Sequence, residues 1–98
     1  MQFILIAHDR EGALDLRKAT RPAHLDYWRD AAGENVILGG PLLAADGNPF
    51  GSVIVLEAPD EQAARALFEA DPYVTAGLFE LTTISRFRHV IDKGMLLG

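Results

Sequence analysis

Three side chains that could handle protons and anions stand in two short stretches of this chain. RPAHLDYW (residues 21–28) puts Arg21 three positions before His24, and EADPYVTAGLFE (residues 69–80) puts Asp71 directly before a proline. Histidine changes charge near neutral pH, so it can serve as a general base or acid. A carboxylate that accepts from one imidazole nitrogen selects the tautomer and leaves the other nitrogen free for chemistry. An arginine can pair with a phenolate or carboxylate on a substrate. Each residue also has a plainer use. Asp-Pro is a common helix start, with Asp as the cap and Pro in the first turn, and Gly77 then fits the stop. One carboxylate oxygen can cap while the other accepts from an imidazole, so the two uses of Asp71 are compatible.

The same double reading applies to the basic pair. At about 100° per residue, Leu25, Tyr27, Trp28, Ala31 and Ala32 gather on one side of a helix, with Asp26, Arg29 and Asp30 opposite. His24 and Arg21 fall in the apolar sector. A buried polar group without a partner costs about 1–3 kcal/mol, so each must find a partner or face a water-filled cleft. His24 could be a satisfied core histidine, and Arg21 could extend its head to solvent from the helix end.

Other chemistries find little support. The chain has no cysteine, which excludes disulfides, thiolate nucleophiles and cysteine-bound zinc. His8, His24 and His89 show no H-x-x-x-H spacing, so no metal site is expected. Gly39-Gly40-Pro41 is followed by no Lys or Ser/Thr at a helix start, and reads as a bulge or close backbone approach ending a strand. No serine-hydrolase elbow or dinucleotide fingerprint occurs. No cofactor is expected, because proton transfer needs none.

The elements that must hold these residues follow from periodicity. QFILIAH (2–8) is apolar on both faces and predicts a strand covered on both sides. Residues 14–32 predict a helix, and Pro22 leaves two versions: a main helix starting near Thr20, or a turn from Leu14 to Lys18 leading into it. Gly33 is the expected stop. VILGG and SVIVLE flank the turn Ala45-Asp46-Gly47-Asn48-Pro49 and predict two strands within 35–58. Asp60 is the expected cap of a helix over 61–70, DPYVTAG (71–77) a brief turn, and LFELTTISRF (78–87) the last strand. The tail, residues 89–98, has no clear period and is expected to pack on a neighbouring chain.

The order is β-α-β-β-α-β, an α+β ferredoxin-like split βαβ with a four-stranded antiparallel sheet and two helices on one face. Strands apolar on both faces need cover on the other side, and a second copy of the sheet supplies it, which predicts a homodimer. A monomer with a mildly apolar open face is the alternative. The 98 residues, 49% of them hydrophobic, fit one domain over 1–98 with a core to about residue 88. A net charge of −5 disfavours nucleic acid, and no apolar run approaches the roughly 20 residues of a membrane helix. Without a signal-peptide pattern at the N-terminus, a cytoplasmic location is expected.

Taken in order, RPAHLDYW (21–28), GGPLL (39–43), DG (46–47) and ADPYVTAGLFE (70–80) resemble the YciI-like, or YCII-related, proteins, from the first strand to Phe87. The resemblance implies a ferredoxin-like unit that forms a dimeric α+β barrel. It implies an active site made of a histidine and an aspartate, which land on His24 and Asp71, with the motif arginine on Arg21 as a substrate-binding group. One branch of the family looks like a dehydrochlorinase acting on a chlorinated hydroxyhydroquinone. The expected function is cofactor-independent acid/base proton transfer on an unknown small molecule of aromatic or phenolic type. The alternative is a noncatalytic ligand-binding or accessory dimer in which the His-Asp pair is structural. On that alternative, breaking the pair should lower the melting temperature, whereas a catalytic pair facing a cleft should change it little.

Overall fold

The computed structural model describes residues 1–30 and 33–98. Strand β1 (Gln2–Asp9) alternates as a strand with one packed face must: Phe3, Leu5 and Ala7 are buried, while Gln2, Ile4 and Ile6 lie on the other face. Burying side chains such as Phe3 and Leu5 contributes about 1.5–3 kcal/mol each. This places β1 at the centre of the sheet. It pairs antiparallel with β3 (Pro49–Glu57) on one side and β4 (Phe79–Phe87) on the other, and β2 (Val36–Leu43) lies outside β3. The strand order β2-β3-β1-β4 is that of a ferredoxin-like α+β unit, the building unit of dimeric α+β barrels. Leu5 stands opposite Ile54 and Ile84, which sets the register of the packed face.

Helix α1 (Leu14–Asp30) runs unbroken through Pro22, so neither version expected from the proline holds as stated. Pro22 has no N–H for the Lys18 carbonyl, a defect that costs about 3 kcal/mol in host helices. Burial of Trp28 opposes it: a buried indole removes about 150–250 Å² from water, worth roughly 4–6 kcal/mol. Packing therefore outweighs the lost bond. Ala31 and Ala32, expected on the apolar side of this helix, lie outside the described residues. Gly33 opens a single 3-10 turn, Gly33–Asn35, before β2.

Asp60 caps α2 (Glu61–Glu69) by accepting from the Ala63 N–H at 2.8 Å, and Ala64 and Phe68, four apart, face the core. The segment expected as a turn contains a short helix, α3 (Pro72–Thr75), capped by Asp71. Gly77 ends it at φ 75°, a left-handed conformation that glycine adopts without strain. Leu78 is fully buried, and β4 begins at the next residue. A Cβ on Gly51 would lie 2.4 Å from the Ala7 carbonyl oxygen, so the close approach of β3 to β1 there requires glycine.

One face of the sheet packs against the helices through Phe3, Leu5, Ile54, Leu56, Trp28, Ala64 and Phe68. The other face carries Ile4, Ile6, Leu38, Leu81 and Phe87, and among the described residues no helix covers it. Residues 91–96 form a small hairpin of β5 (Ile91–Asp92) and β6 (Met95–Leu96). Its turn has Lys93 at φ 50° and Gly94 at φ 82°, the backbone of a tight hairpin turn. Strands of two residues are too short to show a period in the sequence. Among the described residues no helix is long and apolar enough to cross a membrane.

Candidate active site

Asp71 is buried at the junction of α2 and α3, and three donors converge on it. The Tyr73 N–H reaches Oδ1 at 2.8 Å, the Trp28 Nε1–H reaches Oδ2 at 2.9 Å, and His24 Nδ1 lies 2.9 and 3.0 Å from the two oxygens. An ionised carboxylate out of water is tolerated only with such partners. His24 and Trp28 are four apart on α1, so they point the same way and meet the same acid. Asp71 is thus a helix cap and a partner of His24 at once. The nitrogen facing the carboxylate must carry the hydrogen, which in the neutral ring leaves Nε2 as an acceptor.

Tyr73 stacks on the imidazole of His24, with ring centroids 3.8 Å apart and planes inclined by 17°. Its edge is held against Phe79. The guanidinium carbon of Arg17 lies 4.7 Å from the Tyr73 ring centroid. Arg17 is buried and forked onto Asp9, with Nε to Oδ2 at 2.7 Å and Nη2 to Oδ1 at 2.9 Å, and Nη2 also donates to Ser52 Oγ at 2.9 Å. Burial opposes the Arg17 charge, but the hydrogen bonds and charge of Asp9 outweigh it and hold the pKa above the ordinary arginine value. Burial pushes the Tyr73 phenol up, against the pull of Arg17 and Arg21. Burial, with a contribution from Asp71, also raises Tyr27, whose hydroxyl donates to the Leu67 carbonyl.

These groups border a cavity of about 250 Å³ between α1 and strands β2 and β3. Arg17, Lys18, Arg21, His24, Ser52 and Tyr73 line its polar side, and Leu25, Trp28, Val36, Pro41 and Ile54 its apolar side. No Asp or Glu is among the described lining residues; Asp9 neutralises Arg17 from behind, and Lys18 and Arg21 give the lining its excess of positive charge in a chain of net charge −5. Such a lining repels cations, and among the described residues no metal-ligating cluster gathers. Apolar walls with a few convergent polar groups suit a small organic anion.

The structure brings the three expected residues to one place: His24 and Asp71 in contact, and Arg21 on the wall of the cavity that His24 borders. Gly39-Gly40-Pro41 does not end its strand, which continues to Leu43, but it does form part of the cavity wall. A Cβ on Gly39 would sit 3.3 Å from the Val53 carbonyl oxygen, a close approach as expected. Arg17, Asp9, Ser52 and Tyr73 are site residues not anticipated from sequence. A signal did exist for Arg17, because positions 17, 21, 24 and 28 follow a helical repeat on one face. Nothing local marks Asp9 or Ser52, which meet Arg17 only through the fold.

The YCII-related domain family matches residues 1–88. Protein YciI of Escherichia coli is 34% identical over 97 residues, covering 92% of this chain and 99% of that protein. An uncharacterised protein of Haemophilus influenzae is 32% identical over the same shares. Among solved structures, the 5-chloro-2-hydroxyhydroquinone dehydrochlorinase of Burkholderia phenoliruptrix, in complex with 2,5-dihydroxybenzoquinone, superposes with a TM-score of 0.84 at 33% identity, covering 91% of this chain and 95% of that one.

Proposed function

The chain belongs to the YCII-related domain family, and from that premise we propose that it is a cofactor-independent acid/base enzyme acting on a small phenolic substrate, with His24 as the proton-transfer group, Asp71 as its orienter and Arg21 as a substrate-binding cation. The observation that carries this reading is the His24–Asp71 contact beside the cavity: Nδ1 faces the carboxylate at 2.9 Å while the side chain remains 13% exposed. Nε2 is then the nitrogen available to a ligand. Arg21 would pair with an anionic oxygen of that ligand.

The dehydrochlorinase neighbour supports loss of HCl from a chlorinated polyhydroxybenzene as the reaction type. The step balances without an oxidant. His24 Nε2 takes a hydroxyl proton, and the imidazolium returns it to the chlorine-bearing carbon. A second hydroxyl proton then leaves as chloride departs with the C–Cl electron pair, and a hydroxyquinone remains. Positioned proton transfer contributes about 10²–10⁴-fold. The test is chloride release from 5-chloro-2-hydroxyhydroquinone, the compound named for that neighbour. His24→Ala and Asp71→Asn should each lose about 10²–10⁴-fold in kcat. Full turnover by both, in folded protein, would remove the dyad from the mechanism.

The buried, three-donor environment of Asp71 also favours a second reading, in which the pair is structural and the cavity only binds its ligand. A protein that binds hydroxyquinones but turns over no halogenated precursor would support it. In either reading the helix-free sheet face supports self-association, with a second copy as the partner.

A further inference from the structure

The two tyrosines that touch this region have different fates. Tyr27 spends its hydroxyl proton on the Leu67 carbonyl. Tyr73 is 1% exposed and its ring is fixed between His24, Phe79 and Arg17. Its polar neighbour Arg17 is a donor only, so their contact can use the phenol oxygen but not the phenol proton. Among the described residues no protein group accepts that proton, and no buried side-chain oxygen or nitrogen is left without a partner. With that proton unassigned, the cavity that Tyr73 lines is the place where an acceptor from a ligand can stand.

We propose that the Tyr73 hydroxyl is the hydrogen-bond donor for an anionic ring oxygen of the ligand, and that Arg17 and Arg21 make its surroundings selective for phenolates over neutral phenol ethers. The assignment rests on the reading that this cavity is the substrate site, and it adds the group that meets the charge. When Nε2 of His24 removes a proton from a polyhydroxybenzene, negative charge spreads over the ring oxygens. His24 and Tyr73 line the same cavity, so one ligand can meet both. A prepositioned donor at the oxygen where charge develops stabilises the transition state more than the ground state. Burial keeps the phenol protonated across the neutral range, which a donor requires.

The test uses binding alone. 4-Nitrophenol, at a pH where it is ionised, and its methyl ether 4-nitroanisole are titrated calorimetrically into the full chain. The wild type should prefer the phenolate. Tyr73→Phe keeps the ring and its stacking, and should weaken phenolate binding about 10-fold or more, the effect of losing one hydrogen bond to a charged group. Its affinity for the ether should be unchanged, and the absorption band of the bound phenolate should move to longer wavelength as the donor is lost. The readout is binding and not turnover, so its outcome is separate from that of the proton-transfer reading. Equal phenolate affinity in wild type and Tyr73→Phe, or no wild-type preference for phenolate, would overturn the assignment. If Tyr73→Phe does not fold, the wild-type band decides. At the position of a hydrogen-bonded phenolate it supports the donor, and at the position seen in aprotic solvent it refutes it.

Discussion

At the scale of single residues, Asp71 serves two neighbours, and that changes which measurement can separate a catalytic pair from a structural one. Stability was expected to discriminate, because a catalytic pair facing a cleft should be neutral to folding. Asp71 is instead fully buried and accepts from Tyr73 and Trp28 as well as His24. Removing it strands two further buried donors, the Trp28 indole N–H and the Tyr73 N–H that it caps, at about 1–3 kcal/mol each. Asp71→Ala is therefore expected to lose about 3–5 kcal/mol in urea unfolding, whichever role the pair has. His24→Ala, at a side chain still 13% exposed, should lose less than half of that. A His24→Ala loss as large as that of Asp71→Ala would mean that the imidazole is a structural strut. The cap was legible in Asp71-Pro72, since capping depends on neighbours in sequence. The contact with His24, 47 positions away, was legible only through the family resemblance, because a helix wheel reports which way a side chain points and not what it meets.

At the scale of elements, α1 carries the polar wall of the cavity, and its least regular feature lies inside it. Arg17, Lys18, Arg21 and His24 all line the cavity from this helix, and Pro22 interrupts the same stretch of sequence without lining it. Proline dominated the sequence expectation because its local penalty is large, whereas the compensating burial of Trp28 is tertiary and invisible locally. The role of Arg17 is not local for a related reason: its partners Asp9 and Ser52 come from β1 and β3. The β2–β3 turn, the α2 cap and the strand pattern were legible because each is set within a few residues. Pro22→Ala restores a donor to the Lys18 carbonyl. The gain in stability should be on the order of 1 kcal/mol, below the ~3 kcal/mol of host helices because the native packing already accommodates the proline. Chemical denaturation checks this. Unchanged or reduced stability would mean that the surrounding packing requires proline at this position.

At the scale of the whole molecule, the sheet has one face under helices and one face without cover. Along β1 the two faces differ only by alternation, so sequence showed that both are apolar but not what covers the second. Leu38 and Leu81 are each 54% exposed there, and Phe87 39%, with Ile4 and Ile6 between them. An open face this rich in large aliphatic side chains is unusual for a soluble monomer. Two such sheets stacked about 10 Å apart would bury it, and a stable pair needs about 800 Å² from each partner. The chain is therefore expected to sediment as a dimer. Leu81→Asp is the decisive variant. It sets a carboxylate within the proposed interface, where two symmetry-related copies would each have to desolvate a charge. In the monomer the same position faces water on an edge strand, away from the core and from the cavity on the opposite side of the sheet. The variant should fold, should run at half the wild-type mass in sedimentation, and should bind cavity ligands as before. A wild type that sediments as a monomer, or a Leu81→Asp protein that remains dimeric, would mean that this face is not the contact between copies.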